Sequence, residues 1–185
     1  DGWVKVGYGL VFSTFLGFAG GFAVIVAIYW LFRRAVPSHV KPHFRWLQVL
    51  SSGFMAFSHG SNDGQKFMGV FTLALVLGGA LDTFRIPLWV ILLCAGTMAL
   101  GTITGGWRIM RTLGMKITKL ETHQGFSAEV AAASTIELAS RLGIPLSTTH
   151  TISTSIMGVG ATRRLSAVRW GVTRDLVAAW ILTFP

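Results

Sequence analysis

The sequence predicts an all-α, polytopic membrane protein with broken helices and a re-entrant helical hairpin. Hydrophobic residues make up 52% of the chain and charged residues only 12%, whereas soluble domains carry about 25% charged residues. The apolar residues form runs long enough to cross a bilayer, and short basic connectors separate these runs. Polar blocks lie inside two of the runs, which predicts helices that are interrupted within the membrane.

The net charge of +9 comes from basic residues that set the orientation of the chain in the membrane, and it does not indicate nucleic-acid binding. The basic residues lie in the connectors, where they act as topology signals, and no polar domain carries them. The single cysteine, Cys94, lies in an apolar run, which excludes an intrachain disulfide and a cysteine-rich metal site. We expect one transmembrane region over residues 1–185, and both ends of the chain predict that it is part of a longer protein.

The first two apolar runs differ in length. Residues 7–32 carry no charge and are long enough for one span, which needs about 20 residues. Residues 47–80 would form a helix of about 50 Å, against a hydrocarbon core of about 30 Å. The polar block at 58–66 therefore predicts an interruption of this second helix inside the membrane.

The remaining runs complete the predicted topology. The sequence predicts a third span over residues 86–107, a hairpin over 126–161 and a last, truncated span over 170–185. If 126–161 enters the membrane and returns, all three basic clusters fall on the cytoplasmic side, as the positive-inside rule requires. Gly143 suits a helix end and Pro145 a new helix start, which supports the turn of this re-entrant hairpin.

The first polar block, Ser58 to Lys66, places charge at membrane depth. Each such charge costs at least about 2.5 to 3.5 kcal/mol, so it needs a partner or a function. Lys66 and His59 lie three and four residues from Asp63 on one helical face, so internal pairing is one interpretation. The other is that Asp63 and Asn62 supply oxygen ligands to a cation while a broken helix end faces an anion.

The second polar block, Gly143 to His150, resembles an oxyanion cradle. Ser147, Thr148 and Thr149 place successive hydroxyls at a helix start, beside unpaired backbone N–H groups and the positive end of the helix dipole. The alternative is structural: Ser147 caps the helix and the threonines bond back to helical carbonyls.

Further polar residues are auxiliary candidates. Glu129 and Glu137 share one face of the hairpin's first helix, where they could serve ion coupling or lie solvated at the cytoplasmic mouth. His59 and His150 titrate in a range that suits a proton relay, although a structural histidine is the commoner case. The other auxiliary candidates belong to the first block, and they are Ser61, Gln65 and Lys66.

Together, Ser-His-Gly-Ser-Asn-Asp-Gly-Gln-Lys at 58–66 and Gly-Ile-Pro-Leu-Ser-Thr-Thr-His at 143–150 resemble the paired signatures of the PiT family of inorganic phosphate transporters. The resemblance covers nearly the whole chain and is to the second inverted repeat of bacterial members. It implies half of an inverted-repeat, cation-coupled symporter, with the phosphate site between the repeats and no cofactor besides the coupling cation. It assigns Asn62 and Asp63 to the ion and substrate site, with Asp63 as a sodium ligand if sodium is the ion. It also assigns phosphate coordination to the three hydroxyls of the second motif.

Two departures from the family pattern bear on partners and coupling. The other signature of the family, with Asn-Asp-Val-Ala-Asn, is absent, so we expect a missing N-terminal repeat as a partner. Residues 67–81 carry no acidic residue, unlike many eukaryotic relatives, which leaves coupling to sodium, to protons or to a metal–phosphate complex open. The other expected partners are inorganic phosphate, the coupling cation and membrane lipid; a homodimer is also open, and no nucleic acid is expected.

The predicted function is secondary active phosphate transport by a multi-pass protein of the bacterial inner membrane. Importing a phosphate dianion against 100 mV costs roughly 4.6 kcal/mol, which calls for a coupled cation. An uncoupled anion channel would use the same cradle. An intramembrane metal-dependent hydrolase built on His59, Asp63 and His150 is the enzymatic alternative, but the usual metalloprotease and serine-hydrolase spacings are absent from the sequence, so we expect no enzyme.

Overall fold

The computed structural model describes residues 2–111, 117–164 and 168–183, which form six α-helices and no strand. This confirms the all-α prediction. The helices are α1 (Gly2–Leu31), α2 (Pro37–Leu77), α3 (Leu88–Arg111), α4 (Thr122–Arg141), α5 (Thr148–Ala161) and α6 (Trp170–Thr183). Part of the second basic cluster and the last two residues of the predicted final span lie outside the described residues.

Two of the described helices have the length and apolar composition of a membrane span. These stretches are Val4–Leu31 in α1 and Leu88–Arg108 in α3. They lie close to the predicted spans at 7–32 and 86–107. Helix α3 packs mainly on α2 and leaves large apolar side chains such as Ile103 exposed. Lipid or another protein segment must cover such a surface, because soluble monomers rarely expose contiguous apolar patches of this kind.

Helix α2 corrects the predicted second span. It begins at Pro37, where proline occupies the first turn, and it runs without a break to Leu77. The predicted interruption at 58–66 is therefore wrong. The polar side chains of this block bond sideways to α4 and α5 or along α2, so the helical backbone bonds stay intact.

Helices α4 and α5 form the predicted hairpin, with α4 beginning at Thr122. Gly143 lies in the left-handed region at φ 65°, which favours glycine at a helix end. The amide of Ile144 donates to the carbonyl of Ala139 at 2.9 Å, which closes the last turn of α4. After Pro145, Ser147 takes the N-cap position of α5. The entry of this hairpin into the membrane stays a prediction.

Helix α1 lies against α5 and α4 and fixes their position. The helix backbones come very close, since a Cβ added at Gly158 would lie 2.1 Å from the carbonyl oxygen of Phe18. Close approach through small residues is how membrane helices gain packing energy. The buried core beside this contact consists of apolar residues of α1, α4, α5 and the flanking connectors: Ile25, Ile117, Ala128, Ile156, Met157, Val159 and Val168.

Candidate functional site

A cavity of about 370 Å³ lies where α2 passes the start of α5. Its lining contains residues of both polar sequence motifs. The predicted site residues that line it are Asp63, Lys66, Ser147, Thr148, Thr149 and His150. The remaining lining residues are Val6, Leu10, Pro145, Leu146 and Trp180. The structure therefore brings the carboxylate of α2 and the hydroxyl-rich start of α5 to one place.

Asp63 is the polar centre of this cavity. One of its oxygens, Oδ2, accepts a hydrogen bond from the hydroxyl of Thr148 at 3.0 Å, and Nδ1 of His59 lies 3.3 Å from the same oxygen. The other oxygen, Oδ1, accepts from the ammonium of Lys66 at 3.0 Å. This carboxylate therefore connects α2 to α5, two helices that otherwise make few contacts with each other.

Lys66 makes the internal ion pair that the sequence allowed. Its ammonium group also donates to the carbonyl oxygen of Leu146 at 3.1 Å. Leu146 belongs to the extended stretch before α5, whose carbonyl has no helical partner. Lys66 and Asp63 form an ion pair, and both side chains still line the cavity. The internal ion pair is therefore compatible with a binding site here.

The start of α5 combines a structural cap with free donors. The side chain of Ser147 accepts from the backbone N–H of His150 at 3.4 Å, and the hydroxyl of Thr151 donates to the carbonyl of Ser147 at 2.9 Å. The structural interpretation of these residues is therefore correct in part. Thr149 is exposed and lines the cavity, and the first-turn N–H groups of a helix lack intrahelical acceptors and attract anions.

His150 reaches the cavity from the same turn. Its ring lies 4.0 Å, centroid to centroid, from the ring of Trp180 on α6, with 32° between the ring planes. Trp180 was not predicted as a site residue. A single tryptophan in an apolar run carries no sequence signal for such a contact, which depends on how α6 packs.

Asn62 lies away from the cavity, contrary to its predicted contact with phosphate. It is buried, and its amide nitrogen donates to the hydroxyl of Ser140 on α4 at 2.7 Å. Its side-chain oxygen has no hydrogen-bond partner within the described part of the chain, and neither does the hydroxyl of Ser58 one turn earlier. Ser61 and Gln65 are also absent from the cavity lining.

The two glutamates of α4 have separate surroundings. The carboxylate of Glu129 accepts hydrogen bonds from the hydroxyls of Ser51 and Ser52 on α2, the second at 2.9 Å. Glu137 pairs with Arg141 at 2.9 Å on its own helix. Neither lines the cavity. The serine contacts of Glu129 were missed, because nothing local in the sequence shows which face of α2 meets α4.

Comparisons with known proteins point to one family. The sequence profile of the phosphate transporter family matches residues 33–185. A relative in Rhizobium meliloti (strain 1021), named "Probable low-affinity inorganic phosphate transporter", is 46% identical over all of this chain and 56% of its own length. A relative of the same name in Bacillus subtilis (strain 168) is 36% identical with the same coverage. The chain thus spans about half the length of these curated relatives.

A solved structure shares the fold. It is described as "The sodium-dependent phosphate transporter" and superposes with a TM-score of 0.68 at 34% sequence identity, over 85% of this chain and 40% of that chain.

Proposed function

The chain belongs to the phosphate transporter family, and we propose from that membership and from its cavity that the protein carrying it moves inorganic phosphate across a membrane by symport with a cation. The observation that carries the proposal is the meeting of Asp63 with the hydroxyl-rich start of α5. The relatives are named as transporters and not as enzymes, which is against the intramembrane hydrolase.

Phosphate binds at the start of α5 in this proposal. The exposed hydroxyl of Thr149 and the first-turn N–H groups donate to phosphate oxygens, and the helix dipole favours the negative charge. Ser147 and Thr148 already have partners, namely the amide of His150 and the carboxylate of Asp63. Their hydroxyls turn to phosphate only if those partners are released or shared. No arginine lines the cavity, so the described donors form hydrogen bonds that a transporter can break on release.

The charge balance of the cavity supports coupling. Its two formally charged lining residues, Asp63 and Lys66, cancel each other. A phosphate anion entering the site would therefore be left without a compensating charge, and unpaired charge in a low-dielectric site is costly. Each sodium ion or proton that enters with the anion supplies one missing charge and recovers about 2.3 kcal/mol at 100 mV, so two of them offset the roughly 4.6 kcal/mol that a dianion needs.

Asp63 and Asn62 are the proposed ligands of the coupling cation. Asp63 lines the cavity, and Asn62, which faces Ser140 on α4 in the structure, joins it only if its side chain turns. The side-chain oxygen of Asn62 is buried and has no described hydrogen-bond partner, and carboxylate and amide oxygens are the usual ligands of hard cations. Glu129, whose carboxylate is held by neutral serine hydroxyls, is an auxiliary candidate for proton uptake.

A second repeat completes the site in this proposal, as the resemblance to an inverted-repeat transporter implies. The protein then lies in the bacterial inner membrane with several spans, and α4 and α5 form a re-entrant hairpin. Its partners are inorganic phosphate, the coupling cation and lipid.

Uptake by the full-length protein that carries this chain tests the proposal. Proteoliposomes receive radiolabelled phosphate under a sodium gradient, a proton gradient, both or neither. We expect phosphate to accumulate above its external concentration only with at least one cation gradient. Phosphate that enters without any gradient and never exceeds the external concentration would show an uncoupled anion channel.

A double substitution tests the phosphate ligands. Ser147→Ala with Thr148→Ala removes two hydroxyls from the start of α5 and should abolish accumulation while the protein still inserts. The matched control replaces exposed hydroxyls elsewhere, Ser134→Ala with Thr102→Ala, and should transport normally. Normal uptake by the first pair would refute the assignment of this helix start as the phosphate site.

A further inference from the structure

A second cavity of about 730 Å³ lies where the connector between α1 and α2 meets the start of α4. It is separate from the first cavity and shares no lining residue with it. The charged residues that line it are Arg33, Lys41, Arg45 and Glu121. Basic side chains outnumber the single carboxylate, so the lining favours an anion.

The carboxylate of Glu121 is already paired. It accepts a hydrogen bond from the guanidinium of Arg163, which does not line the cavity. This bond lowers the pKa of Glu121, so the carboxylate is ionised and occupied at neutral pH. The positive charges of the lining are therefore only weakly offset.

The basic residues of the cavity are exposed and available to an anion. Arg33 lies over the ring of Trp30, with its guanidinium carbon 5.4 Å from the ring centroid. Such stacking holds the guanidinium in place without using its N–H donors. The first turn of α4 lies at the same cavity through Thr122 and His123, and the carboxylate of Glu121 occupies the N-cap of this helix.

Apolar and aromatic side chains form the rest of the wall. Phe44 is buried and makes edge contacts with Phe32 at 5.5 Å and with His123 at 6.0 Å between ring centroids. Ile28 and Val40 also line the cavity. A charged rim above an apolar wall fits a ligand with a phosphate head and hydrocarbon chains.

We propose that this second cavity binds a phosphate group, as the headgroup of an anionic phospholipid or as free phosphate, and its apolar wall favours the lipid. Basic pockets between membrane helices on the cytoplasmic side recognise anionic headgroups in this way. The site goes beyond the transport function, and only its assignment to the cytoplasmic surface rests on the proposed orientation.

Lipid binding to the full-length protein in detergent tests the proposal. Native mass spectrometry measures the Kd of short-chain phosphatidylglycerol, with phosphatidylcholine as the uncharged comparison. The triple variant Arg33→Gln, Lys41→Gln, Arg45→Gln should weaken phosphatidylglycerol binding at least about tenfold. The control removes the same charge outside the cavity, at Arg111, Arg164 and Arg174, and should leave the Kd within about twofold. Equal effects of the two triple variants would overturn the site.

Two further variants test the charge argument and the independence of this site from transport. Glu121→Gln removes the one carboxylate of the lining, so it should tighten phosphatidylglycerol binding; weaker binding would contradict the charge argument. Asp63→Asn should leave lipid binding unchanged even where transport is lost, which separates failure of this site from failure of the proposed transport.

Inorganic phosphate, titrated alone, identifies the source of the bound group. Phosphate binding that the cavity variant weakens, with phosphatidylglycerol binding unchanged, would assign the site to free phosphate. No weakening of either ligand in the cavity variant would refute a phosphate-group site here.

Discussion

Replacing Asp63 by asparagine separates a structural role of this carboxylate from a role in ion binding. The substitution keeps the size of the side chain and one acceptor oxygen, so it mainly removes the negative charge. In the structure that charge holds Lys66 at 3.0 Å and accepts from Thr148 on the neighbouring helix at 3.0 Å. The ammonium of Lys66 would lose its ion pair and keep its bond to the carbonyl oxygen of Leu146.

The structural part of the effect can be bounded. The side chains of Lys66 and Asp63 are 51% and 22% exposed, so the ion pair lies between an exposed pair, which contributes up to about 1 kcal/mol, and a buried one. Weakening the bond from Thr148 adds about 1 kcal/mol. With about 1 kcal/mol taken for the partly exposed ion pair, the two contributions sum to about 2 kcal/mol, which changes an equilibrium by about 30-fold. We therefore expect a purely structural carboxylate to reduce uptake by no more than about that factor.

The assay compares Asp63→Asn with Lys66→Gln in phosphate uptake by the full-length protein. Lys66→Gln removes the same ion pair but keeps the carboxylate. If Asp63 binds the coupling cation, Asp63→Asn should reduce accumulation at least about 100-fold, a much larger loss than Lys66→Gln causes. Asp82→Asn, exposed in the connector after α2, is the control and should be neutral. Equal losses in the two site variants, or a loss below about 30-fold in Asp63→Asn, would refute cation binding by Asp63.

Three further predictions concern stability, measured as Tm in detergent. Gly158→Ala should cost about 1–3 kcal/mol because its methyl group would meet the backbone of α1, whereas Gly53→Ala, with open space around it, should not lower Tm. Ser140→Ala should cost about 1–3 kcal/mol because the buried amide of Asn62 loses its described partner; an unchanged Tm would contradict that contact. Burial lowers the pKa of His123, so the folded state disfavours its protonation and stability falls as pH drops below about 6.5. His123→Gln should therefore flatten the dependence of Tm on pH between about 7 and 5, and an unchanged slope would contradict the lowered pKa of His123.

Much of the site could be predicted because its signals are local. The cap at Ser147 and the turn at Gly143 and Pro145 follow from residue types at neighbouring positions. The pair of Asp63 and Lys66 follows from helical spacing. The resemblance to a family of transporters then joined the two motifs, which no local pattern could do.

The contacts that were missed join segments far apart in sequence. Asn62 turned out to face Ser140 on α4 and not the cavity, and Glu129 is held by serines of α2. Both depend on the rotation of α2 against α4. Polar residues lie on more than one face of α2, and any of these faces could contact a polar side chain of α4. The spacing of residues in α2 therefore could not predict which face meets α4.

The prediction of a break in α2 is wrong for a physical reason. Within 58–66 there is no proline, and Gly60 and Gly64 keep negative φ. Two helical glycines cost about 2 kcal/mol relative to alanine, whereas a break in a membrane exposes backbone groups at several kcal/mol each. Polar side chains alone therefore do not break a helix, because they can bond sideways while the backbone ladder continues.

The break before α5 shows the opposite case. Gly143 can adopt φ 65°, and Pro145 has no N–H to continue a helix. The carbonyl oxygen of Leu146 that this break exposes receives the ammonium of Lys66 from α2. The broken segment thus places the start of α5 at the cavity. The unbroken helix α2 beside it supplies the ammonium that binds the exposed carbonyl and the carboxylate that binds Thr148. Breaking α2 at the same depth would displace both side chains and remove the support on which the helix start depends.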